Sequence, residues 1–463
     1  MDYKEALHYL DAFVNYERKH EASAMRLVRL SRMEHLCRLL GNPQQRFRSV
    51  VVTGTNGKGS IAAMLYAMLR ASKLKAGLYT SPHLKDVRER IRFSSGRKNN
   101  PASEDSDWIS KEAFAEAVSL IKPAVETLRR ESHEGPPTYF EILTAAAFVA
   151  FAQQQVEIAV LEVGMGGRLD ATNIVQQSVS VFGPIDVDHA DVLGNDPPAI
   201  AREKAGILKT RQIAISAAQS PEVEAVLQQA CDAKGVPLLL IGRDISVRVL
   251  EQTLKDMRLT VTGLQGIYES VKLPMLGRHQ ASNAASAIVA LEALSSRTIP
   301  AALIEQGLSC FSWPGRQEVF HHAPLVIFDG GHNPHAVSAL RASLEQVCPG
   351  SVVHLLLGVS KDKSVEAIGE RLEGFAASIT CTQSRHPRAM AAAELARRIA
   401  PYCKEVQTMP DSADAATYIL NTAAPEDVVV ILGSFFLVGE LRAVLQQSHI
   451  KVRRVEKRQA IAA

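Results

Sequence analysis

Residues 49–60 read SVVVTGTNGKGS, and IAAMLYAMLRAS (61–72) follows. The β-branched run predicts a short buried strand, GTNGKGS a glycine-rich loop, and the apolar spacing after it a helix. In a strand–loop–helix unit, backbone N–H groups and the positive end of the helix favour phosphate. Gly54, Thr55, Asn56, Gly57, Lys58, Gly59 and Ser60 are therefore the candidate nucleotide loop, with Lys58 placed to pair with β- and γ-phosphate oxygens. The loop departs from GxxxxGK[ST]: its first glycine is closer to the lysine, and Gly59 separates Lys58 from Ser60. That departure points away from GTPases and ordinary ATPases.

Outward from this loop, Ala76–Thr80 reads as a second strand entering SPHL. Val87–Phe93 alternates Arg88, Arg90 and Arg92 with Val87, Glu89 and Ile91, so an extended segment would set three arginines on one face. Such a face could hold an anion, or be a solvated basic strand edge. Ser94–Ser110 has the composition of a mobile surface loop. Helices over Lys111–Arg130 and Tyr139–Gln153 precede a strand at Glu157–Val163, which runs into GMGGRLDATN, and another strand at Ser178–Phe182. This alternation predicts an α/β fold with a mainly parallel, doubly wound sheet. Residues 246–274 carry short turn-separated strands without helices, a small antiparallel patch, before a helix at Ala281–Leu294. The Pro-Gly break in WPGR (313–316) is read as the interdomain hinge, expected to be mobile without nucleotide. From Leu325 strands and helices alternate again, so residues 1–316 and 317–463 are the expected domains, the second smaller.

Length and charge bound the function. A chain of 463 residues exceeds one core at about 150 residues per domain. Lys and Arg total 52 against 49 Asp and Glu, which gives no global field for nucleic acid or an anionic membrane. Six scattered cysteines without a CxxC pair read as reduced thiols of a cytoplasmic protein. MDYKEALHYLDAF resembles neither a signal nor a transit peptide, and the apolar runs Leu143–Ala152 and Val428–Gly439 fall short of the roughly 20 residues of a membrane span.

The segments TGTNGKGS, YTSPHL with ERI, LEVGMGGRLDATN, DVDHADVLG, AREKAGILK, HQASN, PGR and DGGHNPHA together resemble the folylpolyglutamate synthase/dihydrofolate synthase family. These are the folate branch of the Mur-type ligases. The resemblance implies a Mur-type ATPase domain, a C-terminal Rossmann-like ligase domain, a monomer, and ATP with two Mg²⁺ ions. Glu162, closing an apolar strand, is then a magnesium ligand, with Ser81 at the first ion and His189 at the second. A lone histidine is more often structural, and the match of DHADVLG to the family's DHxxxLG is what singles out His189. Lys204 would by default be a solvated helix cation. In the family the corresponding lysine is carbamylated, which turns a repelled +1 charge beside Mg²⁺ into an oxygen-bearing −1.

Asp329 ends the strand LVIFD, and His332 and Asn333 follow it, where open α/β sheets bind ligands. The resemblance makes Asp329 nucleotide-facing, sets His332 near the reacting carboxylate, and implies ATP contacts from Asn283 and Arg316. Gly331 stands where the family usually has alanine. Arg90, within ERI, is the strongest of the three arginines for an anionic folate or its glutamate tail. The loop with Arg168 and Asp170 looks like the bifunctional bacterial type, with Asp170 a contact to the pterin of dihydropteroate. The implied reaction activates a carboxylate of dihydropteroate or a reduced folate as an acyl phosphate and joins L-glutamate to it. The competing readings are a Mur ligase on a cell-wall precursor, disfavoured by the roughly 50 residues preceding the loop, and a non-ligating nucleotide switch.

Overall fold

A computed structural model of the protein describes residues 1–18, 29–94, 105–131, 135–188, 194–295 and 298–447. Strand β1 (Arg48–Thr53) is buried from Ser49 onward. Val51 belongs to one apolar cluster, while Val50 and Val52 belong to another. This period-two division is what a sheet covered on both faces imposes on a central strand. Helix Tyr139–Gln153 lies in the first cluster, and helices Lys58–Ala71 and Arg278–Leu294 lie in the second.

Around β1 are β2 (Ala76–Tyr79), β3 (Ile91–Phe93), β4 (Ile158–Glu162), β5 (Val179–Phe182), β6 (Ile213–Ser216) and β7 (Leu238–Leu240). Their order is β3-β2-β4-β1-β5-β6-β7, parallel throughout except β3 against β2. Register sets Glu162 beside Val52 and Phe182 beside Thr53, so the carboxyl ends of β4, β1 and β5 open together. The antiparallel patch is β8 (Ser246–Gln252), β9 (Met257–Thr262) and β10 (Ile267–Leu273), ordered β10-β9-β8.

The chain divides into two compact units, Met1–Trp313 with Ser338–Val347, and Pro314–Val337 with Cys348–Ala463. The second contains β11 (Glu318–His322), β12 (Leu325–Asp329), β13 (Val353–Leu357), β14 (Ser378–Cys381), β15 (Val406–Thr408) and β16 (Val428–Leu432). They are ordered β11-β12-β16-β13-β14-β15, with β11 alone antiparallel to its neighbour. Both edge strands, β11 and β15, lack the apolar runs that announce β12, β13, β14 and β16. No described helix is long and apolar enough to cross a membrane.

Two sequence expectations need correction. Val87–Phe93 is not one extended strand: Val87–Arg90 is a 3-10 turn and only Ile91–Phe93 pairs with β2. A capping box closes that turn, because Asp86 accepts from the Arg88 amide while Glu89 reaches back to the Asp86 amide. Local hydrogen bonding thus overrides the alternating pattern: Arg90 is buried, while Arg88 and Arg92 both lie over the Trp108 ring. Arg88 pairs with Asp86, Arg90 with Glu17 and His83, and Arg92 with the Glu89 carbonyl.

The segment 94–110 is also more structured than its composition implies in its described part. Phe93 donates its amide to the Asp107 carbonyl, Ile109 donates to Ile91, and Ile109 is fully buried. Residues 95–104 lie outside the described residues.

Candidate active site

The loop after β1 is built against its neighbours. Thr55 and Asn56 donate their amides to the Pro184 carbonyl, and the Thr55 hydroxyl donates to the Asp186 carbonyl at 2.7 Å. Gly57 caps helix Lys58–Ala71 with φ +79°, a left-handed conformation that glycine adopts without strain. A Cβ on Gly183 would stand 2.4 Å from the Asn56 carbonyl oxygen, so the loop and the end of β5 approach as closely as backbone allows. Sequence reading missed Gly183, Pro184 and Asp186, although Asp186 stands inside the DVDHADVLG stretch.

Two lysines converge on this loop. Lys58 Nζ donates to the Gly54 and Thr55 carbonyls at 3.0 and 2.9 Å, and Lys204 Nζ donates to the same Gly54 carbonyl at 2.9 Å. Lys204 is not a solvated helix cation, since it is only 4% exposed. Burial, with the nearby Lys58 charge second, pushes its ammonium down to about 7. Gly54, Thr55, Lys58, Val163, Gly164, Met165, Gly166, Asp188 and Lys204 line one recess. Asp188 is a member that sequence reading did not select.

Glu162 ends β4 beneath this recess, buried, and its Oε2 accepts the Ser81 amide at 3.0 Å. Ser81 and Glu162, 81 residues apart, therefore share one position. Their oxygens fit a hard cation such as Mg²⁺, which takes few protein ligands and keeps waters and phosphate oxygens. No cluster of three or more His, Cys, Asp or Glu that could hold a metal occurs among the described residues. His189 lies outside the described residues. Asn283, on helix Arg278–Leu294, donates its Nδ2 to Gln280 at 2.9 Å. A Cβ on Gly57 would meet the Asn283 Oδ1 at 2.6 Å, which puts this side chain against the glycine-rich loop.

Arg90 is 1% exposed; its Nε donates to His83 Nδ1 at 2.8 Å and its guanidinium pairs with Glu17. Burial and the Arg90 charge push His83 down to about 3. Arg90 is thus buried in an ion pair with Glu17. Asp170 is similarly turned inward: Oδ2 accepts from the Gly164 and Met165 amides, and Oδ1 from the Thr172 amide and hydroxyl. Burial nevertheless raises its pKa. Arg168 is exposed and pairs with Glu203.

Those four bonds make Asp170 the organiser of its loop. Asp170→Ala leaves buried donors unpaired, at about 1–3 kcal/mol each, so it is expected to lower the midpoint of urea unfolding, and an unchanged midpoint would show that the four bonds add nothing to stability.

In the second unit, Asp329 ends β12 with Oδ1 accepting the Gly331 amide at 2.7 Å. Burial pushes its carboxyl up to about 6 against the opposing pull of Arg316. The Arg316 guanidinium lies 3.7 Å above the Phe435 ring, and His332, with Nδ1 at 2.8 Å from the Gly330 carbonyl, packs edge-on to the same ring. Asn333 Oδ1 accepts the Ala336 amide at the start of helix Pro334–Val347. Asp329, His332 and Arg316 therefore gather at the carboxyl end of β12 around Phe435, which the sequence reading did not pick out.

Residues 108–291 match the Mur ligase middle domain family and residues 315–435 match the Mur ligase glutamate ligase domain family. The chain is 34% identical to the dihydrofolate synthase/folylpolyglutamate synthase of Mycobacterium tuberculosis, an alignment covering 90% of this chain and 89% of that one. It is 32% identical to the Escherichia coli protein of the same name, over 85% of this chain and 86% of that one. Among solved structures, M. tuberculosis folylpolyglutamate synthase complexed with ADP superposes with a TM-score of 0.86 at 33% identity, covering 96% of this chain and 98% of that one. E. coli FolC in complex with DHPP and ADP gives a TM-score of 0.82 at 29% identity, with the same coverage. Two Mur ligase domain matches, near-complete coverage by these synthases and a nucleotide-type loop walled by Lys58, Lys204 and Glu162 lead to one conclusion: the chain belongs to the folylpolyglutamate synthase/dihydrofolate synthase family of ATP-dependent glutamate ligases.

Proposed function

We propose that this protein is bifunctional, adding L-glutamate both to dihydropteroate and to reduced folates. ATP's γ-phosphoryl group passes to an acceptor carboxylate oxygen and ADP departs. The glutamate amine then attacks the acyl carbon, and the C–O bond to phosphate breaks with its electron pair leaving on inorganic phosphate. Such chemistry depends on positioning and charge neutralisation more than on covalent help from the protein.

The convergence of Lys58 and Lys204 on the Gly54 carbonyl carries this reading, because it concentrates charge control on one phosphate-sized loop. Lys58 turns its ammonium to the β- and γ-phosphates, and the loop amides from Gly57 to Ser60 cradle them. Asn283, Arg316 and Asp329 are assigned to the nucleotide, and His332 to the reacting carboxylate. Glu162 and Ser81 would hold one Mg²⁺ and His189 a second, supplying neutralisation of the phosphate oxygens. Arg90 keeps the SPHL loop in place through His83 and is assigned to the folate end of the substrate, with Asp170 shaping the loop beside it.

Burial holds the Lys204 ammonium well below the ordinary lysine range, which favours the neutral amine that adds CO₂, so carbamylation of Lys204 belongs to the proposal. The test is ADP release from Mg-ATP with glutamate and either dihydropteroate or tetrahydrofolate, omitting each component in turn. Turnover with both acceptors is expected. Turnover with one alone reduces the assignment to that half, and nucleotide binding without glutamate-dependent turnover would return it to a switch.

A further inference from the structure

The chain has two tryptophans, Trp108 and Trp313, and one arginine touches both. The Arg92 guanidinium lies 5.7 Å from the Trp108 ring centroid and 5.0 Å from that of Trp313. It cannot swing freely, because Arg92 Nε donates to the Glu89 carbonyl at 3.1 Å and Nη1 reaches Asp107 Oδ1 at 3.5 Å. Asp107 is itself buried and also accepts from Arg70 at 3.2 Å. Arg92 is thus a braced cation, and a guanidinium over an indole face is an attractive contact that fixes the ring plane. Phe311 stacks on Trp313 with centroids 6.5 Å apart and planes 19° apart.

What the braced indole faces gives it a role. A Cβ on Gly59 would stand 3.4 Å from each Glu162 carboxylate oxygen and 3.5 Å from Trp313 Nε1. Gly59 is the second residue of the helix that opens at Lys58. The place a side chain would take there is therefore already bounded by the Glu162 carboxylate and the Trp313 indole. A Cβ there would make ordinary van der Waals contacts with both walls, and a longer side chain would press on one or the other.

We infer that Trp313, clamped by Arg92, is a positioning residue for the phosphate loop, walling the first turn of helix Lys58–Ala71 beside Glu162. The inference rests on residues 54–60 being the ATP loop. It makes Trp313, which ends the long segment of the first unit, part of the nucleotide-holding apparatus, although no polar atom of Trp313 need touch the reacting groups.

The test combines kinetics with emission, using MgADP as the probe. Trp313→Leu is expected to raise the KM for ATP about tenfold, part of the roughly hundredfold that a displacement of about 1 Å can cost. The KM for glutamate is expected to stay within about twofold. Trp313→Phe, which keeps an aromatic face for Arg92, should restore most of the ATP affinity, and Arg92→Met should reproduce the loss. In Trp108→Phe protein, where Trp313 is the sole tryptophan, saturating MgADP should change the emission. In Trp313→Phe protein, Trp108 emission should not respond. An unchanged ATP KM in Trp313→Leu, parallel rises in both KM values, or a silent Trp313 overturns the inference while leaving the ATP loop standing. Failure of MgADP to bind the unsubstituted protein in equilibrium dialysis would overturn the ATP-loop reading itself, and this inference with it.

Discussion

Lys58→Met is expected to lower kcat for glutamate-dependent ADP release by about a thousandfold, a loss of about 4 kcal/mol in transition-state stabilisation. In the proposed role Lys58, whose ammonium lies 3.0 and 2.9 Å from two loop carbonyls, meets the β- and γ-phosphate oxygens. A positioned charge needs no reorganisation as negative charge shifts during transfer, which is why removing one costs so much. Methionine keeps a long unbranched stem and removes the charge, so the helix start and the loop hydrogen bonds to Pro184 remain. Single-turnover measurement of ADP formation separates the chemical step from binding. A loss below about tenfold would show that Lys58 serves the loop's structure and not phosphoryl transfer.

Lys204→Met should be nearly as damaging to turnover, by about a hundredfold or more, and it carries a separate signature in stability. The folded value of Lys204, about 7, lies below the ordinary 10.5. Below about pH 7 both folded and unfolded chains carry the proton, and the cost of burying it is fully present. Between about 7 and 10.5 the unfolded chain binds more protons than the folded one, so stability rises with pH. Methionine abolishes this contribution, and the pH slope of unfolding should flatten by up to about 1.4 kcal/mol per pH unit across that window. Urea unfolding at pH 7 and pH 9 in CO₂-free buffer measures it. Equal slopes for the two proteins would mean that Lys204 keeps an ordinary pKa. If a carbamate is the working form, added short carboxylates should restore part of the lost turnover in Lys204→Met, and no restoration would argue against the carbamate.

The fate of the three arginines shows where reading by pattern stops. Arg88, Arg90 and Arg92 alternate in sequence as a strand would, yet a capping box between Asp86 and Glu89 winds the first half into a turn. The signal, an acid followed three residues later by Glu, was present in the sequence but was outweighed by the alternation. Arg90 then meets Glu17, 73 residues away, a pairing that no local pattern announces. The segment before helix Lys111–Glu131 has a similar history. Its polar composition hides Asp107 and Ile109, which are buried because β3 offers them backbone partners.

By itself the sequence determined the elements whose causes are local. The β-branched run of β1, the glycines of the loop after it, the apolar helix Tyr139–Gln153 and the restart of alternation at Leu325 all act through periodicity and turn chemistry over a few residues. The tertiary structure alone decided which distant groups meet. Strand order β3-β2-β4-β1-β5 brings Ser81 to Glu162 and Lys204 to Gly54, and the burial that results gives Lys204 its low pKa. It also sets Trp313 against Gly59. Desolvation and charge proximity depend on neighbours separated by up to about 250 residues, and those neighbours exist only once the sheet has closed around its central strand.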